Sequence, residues 1–140
     1  MKFMKKLIFL FGLLFLFGSC KKDYQYEKID SDILVKAESQ DSRISIRCET
    51  EREYSCSNFG ITYCAKARNN EIVVHFKKVK VSDLCLTSFG PAKCIIDLGQ
   101  LPDGEYSVTF EFNNKKTKGK LKVKSTIELT IDSGGNVKPK

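Results

Sequence analysis

The side chains in this chain that could do chemistry are few, and most of them are cysteines. Six occur, at Cys20, Cys48, Cys56, Cys64, Cys85 and Cys94, against a single histidine, His75. Cysteine sites for metal use close pairs, typically two residues apart, and no pair here has that spacing. A Cys–His nucleophile needs a thiolate within hydrogen-bond reach of the imidazole, and no cysteine lies close to His75 in the chain. The carboxylates are scattered. Glu49, Glu51 and Glu53 alternate in one segment, and Asp97, Asp103 and Glu105 fall near another. The alternating three read as a solvated edge, not as the opposed pair that acid–base hydrolysis requires or a calcium loop. The residues therefore predict no catalytic group, no metal and no cofactor, and the chain is not read as an enzyme.

Disulfides are the remaining use for the cysteines. Cys85 and Cys94 bracket the segment 86–93, and a bridge closing about ten residues would contribute roughly 2 to 3 kcal/mol. Cys56 and Cys64 flank the segment 57–63 and form the second expected pair. Cys48 shares the apolar parity of Ile44 and Ile46 and is expected as a buried free thiol.

The most distinctive polar pattern is a ladder of lysines, Lys118, Lys120, Lys122 and Lys124, with Lys115 and Lys116 just before it. Alternation in a strand points all four to one side. Such a face suits an acidic partner, a protein surface or an acidic glycan. It also suits a plain solvated face or an edge guarded against sheet-to-sheet pairing, and Glu111 and Glu128 on neighbouring strands could neutralise it. Nucleic acid is not expected, because aromatics do not interleave with the lysines.

The first nineteen residues differ in kind from the rest. Lys2, Lys5 and Lys6 precede an apolar run, residues 7–17, that is shorter than the roughly 20 residues of a membrane-spanning helix. Gly18 and Ser19 follow, then Cys20. That order is that of a cleaved export signal. The quartet Phe17-Gly18-Ser19-Cys20 resembles the lipobox of bacterial lipoproteins, with Phe17 where an aliphatic residue is usual. The run Ser19-Cys20-Lys21-Lys22-Asp23 is similar to lipoproteins of the Bacteroidota. The resemblance implies cleavage before Cys20, diacylglycerol on its thiol, and anchoring in the outer membrane, facing the periplasm or the surface. It covers about the first 25 residues. Met4 would also serve as a start.

The whole chain has 140 residues and a formal net charge of +7. Loss of residues 1–19 removes three lysines and no acids, leaving 21 basic against 17 acidic side chains, or +4. Part of the basicity thus belongs to targeting. The remaining 121 residues suffice for one domain. Residues 20–31 read as the lipidated cysteine and a polar tether, 32–132 as the domain, and 133–140, rich in Gly and Pro, as a frayed tail.

Within the domain the apolar residues recur every second position. Ile44, Ile46 and Cys48 share a face, as do Ile72, Val74 and Phe76; Tyr106, Val108, Phe110 and Phe112; and Leu121 and Val123. Turn residues separate the runs at Gln40-Asp41, Asn69-Asn70 and 113–116. After Lys77-Lys78 the apolar parity switches to Val79 and Val81, which predicts a bulge. Residues 49–58 and 82–93 are expected as long loops. The six residues Leu101-Pro102-Asp103-Gly104-Glu105-Tyr106 are similar to the corner before a late strand in immunoglobulin-like sandwiches, where a tyrosine bonds back to upstream backbone. The resemblance implies an all-β, antiparallel sandwich of about seven to nine strands, and no function. The expected role is a lipid-anchored, non-catalytic binding or accessory module of the envelope, meeting its partner by the lysine face or the two loops. The alternative is a protease inhibitor that presents the cysteine-flanked loop 82–93.

Overall fold

The computed structural model describes residues 24–140. The expected export signal 1–19, the lipobox-like quartet and Cys20 lie outside the described residues. From Tyr24 onward the period-two alternation becomes ten strands and no helix: β1 (Tyr26–Glu27), β2 (Ile33–Gln40), β3 (Arg43–Tyr54), β4 (Gly60–Arg68), β5 (Glu71–Lys80), β6 (Gly90–Gly99), β7 (Gly104–Phe112), β8 (Lys115–Val123), β9 (Ile127–Ile131) and β10 (Val137–Pro139). The hairpin turns take the residues that tolerate positive φ. Asp41 and Ser42 join β2 to β3 at φ 50° and 63°, and Asn113 and Asn114 join β7 to β8 at 51° and 59°. Two consecutive left-handed residues match the twist of the flanking strands. Asn69, at φ 55°, turns β4 into β5.

The strands form one mixed sheet in the order β10-β2-β3-β6-β4-β5-β7-β8-β9, with β1 added on β5. Three of the pairings are parallel, β10 with β2, β5 with β7, and a single bridge from Gly60 on β4 to Lys93 on β6. At the far side β9 comes up against β2 and β10, so the sheet curls until it is nearly closed. This departs from the two antiparallel sheets of the expected sandwich. Alternation states that a strand has one buried face; it is the same whether that face looks across a sandwich or into a curled sheet. The β5–β7 contact is parallel because the chain leaves β5, passes through β6 between β3 and β4, and only then lays β7 beside β5.

Inward residues make one core. Phe76 stacks on Phe110 with ring centres 5.9 Å apart, and the edge of the pair meets Phe112 at 6.0 Å. Ile46, Ile72, Val74, Ile96, Val108 and Leu121 fill the space around them. Burying each of these side chains contributes roughly 1.5 to 3 kcal/mol. The corner motif forms as expected: the Tyr106 hydroxyl donates to the Pro102 carbonyl at 2.7 Å. The parity switch at Lys77-Lys78 is a bulge, since Thr62 pairs with Lys78 and Tyr63 with Phe76, leaving Lys77 unpaired.

Four boundaries differ from expectation; the segment 82–93 is loop only as far as Phe89, because β6 begins at Gly90. The polar segment 49–58 is mostly strand, because β3 runs on to Tyr54 across an irregularity after Glu49. There the buried Thr50 hydroxyl accepts the Ala92 N–H at 2.9 Å and donates to the Arg52 carbonyl at 2.8 Å, so a polar side chain completes the broken ladder. The second half of the expected tether is folded in: β1 pairs with β5, Ile29 is buried, and Asp30 pairs with Arg52. The expected frayed tail contains β10. Val137 is buried opposite Ile33, and Lys138 and Lys140 pair with Asp32 and Glu49 at 2.7 and 2.6 Å. Gly135 lets the chain pass over Thr117, whose side-chain atoms would lie 2.2 to 2.8 Å from any Cβ there.

Candidate functional site

The lysine face is built as the alternation predicts. On β8, Thr117, Gly119, Leu121 and Val123 turn inward, and Lys116, Lys118, Lys120 and Lys122 outward, with Lys124 just past the strand end. Outward neighbours on a strand stand about 6.8 Å apart, so Lys118 to Lys124 form a row of about 20 Å. Glu111 neutralises only Lys116, at 3.0 Å. Among the described residues Lys118, Lys120, Lys122 and Lys124 make no ion pair, although Glu105 and Glu128 stand opposite Lys122 on β7 and β9. The Lys116 ammonium beside Glu111 holds that carboxyl below the usual range, with His75 adding to the effect.

Lys118 and Lys120 are flanked by small hydroxyl residues, Thr109 and Ser107 on β7 and Thr130 on β9. Between the long side chains lies a hollow of about 290 Å³, lined by Glu71, Ser107, Thr109, Lys118, Lys120 and Asp132 among others. A second hollow of about 270 Å³ continues it past Lys116 and Gly135 and shares Lys118 and Asp132. Gly119 keeps the floor close: a Cβ there would meet the Thr130 carbonyl oxygen at 2.4 Å, so β9 sits hard against β8. The result is a shallow, open trough edged by lysines and hydroxyls, with the carboxylates of Glu71 and Asp132 at its rim. It can hold an extended acidic group; it has no depth to exclude water from a reacting bond.

The cysteines pair differently from expectation. Cys56 is bonded to Cys85, with Cα atoms 5.2 Å apart. Neither Cys85–Cys94 nor Cys56–Cys64 forms, because the strands send those thiols elsewhere. Cys94 lies on β6 directly opposite Cys48 on β3, facing the interior. Cys64 faces outward on β4, directly opposite His75 on β5. Cys48 is a buried free thiol, as expected. Its contact with Cys94, together with burial, pushes its pKa well above the ordinary thiol range. A thiol so reluctant to ionise is a poor nucleophile.

His75 is exposed, as its parity predicts, with Nδ1 3.7 Å from Glu111. The fold adds what the chain order hides, a row across four strands of Cys64, His75, Glu111 and Lys116. That row lies on an open sheet surface with no recorded hydrogen bond between Cys64 and His75. Among the described residues no group of three or more His, Cys, Asp or Glu is placed to hold a metal ion. Glu49 and Glu51 are met by Lys140 and Lys138 from β10, and Asp97 by Arg43 at 2.6 Å. The carboxylates thus serve as strand-to-strand ties.

The loop 81–89 carries a feature that periodicity could not flag. Leu84, Leu86 and Phe89 lie there with their side chains in solvent. The Cys56–Cys85 bond holds this loop onto the turn 55–59, helped by Ser88 donating to Ser57 at 2.8 Å and Asn58 donating to Ser82 at 3.0 Å. Apolar residues outside any alternating run were the only available signal.

No protein-family profile, no curated protein and no solved structure matches this chain.

Proposed function

We propose that this chain is a lipid-anchored, non-catalytic module of the outer-membrane envelope that binds an acidic partner along β8. The row of Lys118, Lys120, Lys122 and Lys124, without an ion pair among the described residues and with Lys118 and Lys120 edging a shallow trough, carries the reading. Four cations at strand spacing match an extended polyanion or a row of carboxylates on a partner, and open access favours fast, salt-sensitive association. Anchoring rests on the lipobox-like quartet ending in Cys20. An immunoglobulin-like sandwich is the finer reading of the fold; the Tyr106 corner supports it, and the three parallel contacts weigh against it. The inhibitor reading relied on a loop braced at both ends by Cys85 and Cys94, and that brace is not formed.

The test exchanges all four lysines for serine and measures retention on an immobilised polyanion and capture of envelope components over a range of salt. The change takes the net charge from +4 to zero, so the control exchanges four exposed lysines elsewhere, Lys36, Lys66, Lys77 and Lys93. Loss with the ladder variant and retention with the control is the expected result. Equal behaviour of the two variants would reduce the face to bulk charge.

A further inference from the structure

Six large apolar residues are exposed among the described residues, and five of them gather at one end of the curled sheet. Leu84, Leu86 and Phe89 on the loop are 80%, 58% and 77% exposed, and Tyr24 and Tyr26 lie beside the end of β5 from which the loop departs. The disulfide to Cys56 fixes the loop in place. The chain enters the domain at the same end. Gln25 accepts the Val81 N–H at 3.0 Å, Tyr26 pairs with Lys80, and the Lys80 ammonium lies 3.6 Å from the centre of the Tyr24 ring. Cys20 is four residues before Tyr24, a reach of at most about 14 Å.

We propose that the loop 81–89 is a membrane-docking loop, whose Leu84, Leu86 and Phe89 enter the bilayer that holds the lipid of Cys20. The proposal rests on the anchoring in the reading above and adds an orientation to it. The short connection keeps this end of the domain at the bilayer surface, which makes the bilayer the occupant within reach. A protein would have to enter between the two. The chemistry agrees. Aliphatic and phenyl tips suit the boundary between headgroups and acyl chains. Tyr24 and Tyr26 suit the headgroup level, where rings with one polar end collect. Lys21, Lys22, Lys78 and Lys80 provide cations for anionic headgroups. The domain then stands on end, with the turns at 41–42, 69–70 and 124–126 furthest from the membrane.

The chain contains no tryptophan, so one introduced indole reports its own surroundings. Phe89→Trp probes the loop and Ser125→Trp the opposite end; both positions are exposed, so folding is not at stake. Each protein, purified with its acyl chains, is placed in vesicles of phosphatidylethanolamine and phosphatidylglycerol with and without brominated acyl chains. The indole at 89 is expected to shift its emission to the blue and lose most of its intensity to the brominated lipid, while that at 125 keeps both. Adding Leu84→Ser and Leu86→Ser should restore the intensity at 89. An acylated, vesicle-bound chain whose indole at 89 behaves like that at 125 would overturn the docking and leave the anchoring standing. Absence of acyl mass on Cys20 would remove the anchoring, and the docking with it. Shielding at 89 in native envelopes but not in protein-free vesicles would assign the loop to a protein and overturn the proposal.

Discussion

Exchanging both Cys56 and Cys85 for serine should cost about 3.6 kcal/mol of stability. The bridge joins residues 29 apart. Closing a loop of that length removes about 12 cal/mol/K from the unfolded chain, which at 25 °C gives the figure above. On the folded side Ser88 still meets Ser57 and Asn58 still meets Ser82, while Cys56 is itself buried against the core, so a serine there adds to the loss and the figure is a lower bound. Urea unfolding followed by far-ultraviolet circular dichroism is the assay, with tyrosine emission as the second probe. With a slope of about 1.5 kcal/mol/M, the midpoint should fall by about 2.4 M. Adding a reductant to the unchanged chain should reproduce most of that fall. A loss below about 1 kcal/mol with an unchanged slope would refute the reasoning. It would mean either that the unfolded chain is already held compact or that the bridge strains the fold.

Two tyrosines should respond oppositely to loss of their hydroxyls. Tyr106→Phe breaks the bond to Pro102 and should cost about 1 kcal/mol, whereas the buried hydroxyl of Tyr54 has no partner among the described residues, so Tyr54→Phe should be neutral or stabilising by up to about 1 kcal/mol in the same urea titration. Thiol labelling of the folded protein, read by peptide mass, should modify Cys64 first, and Cys48 only on unfolding; equal rates would contradict the placement of Cys48 inside the core. The carboxyl of Asp97 is held below its usual value by the Arg43 guanidinium and by the Gly99 N–H. Its contribution is therefore present above the unfolded carboxylate range and lost as pH falls through the lower folded value. Asp97→Asn should lose less stability than the parent on going from about pH 5 to about pH 3, and an identical acid slope for the two would remove the tie.

The inward residues were legible in the sequence because each strand carries its own parity: Ile72, Val74 and Phe76 read as buried without knowledge of any partner. The lysine face was legible for the same reason. Pairing is different, since it depends on which strands become neighbours. Cys94 meets Cys48 only because β6 lies on β3, and Cys64 meets His75 only because β4 folds back on β5. Chain proximity, which pointed to Cys85–Cys94 and Cys56–Cys64, gives no information on the direction in which a strand sends its thiol. The short β10 was hidden by the glycines before it and by its own Pro139, residues that mark turns wherever they occur. Its burial comes from a slot left beside β2, not from any pattern of its own.

The place of β10 also governs the order in which this fold can be completed. It lies on the open edge of β2, with Val137 opposite Ile33, so strands about 100 residues apart in the chain must meet before the edge is covered. Long-range pairing of this kind slows folding, and until residue 139 has emerged from a ribosome or an export channel the edge stays open. Under the anchoring proposed above, such a delay would suit a chain that is threaded across a membrane before it folds. The same delay leaves an unpaired β2 that can add a strand from a neighbouring chain, so molecules shortened before residue 137 should be prone to aggregation even though Val137 is the one core residue they lack.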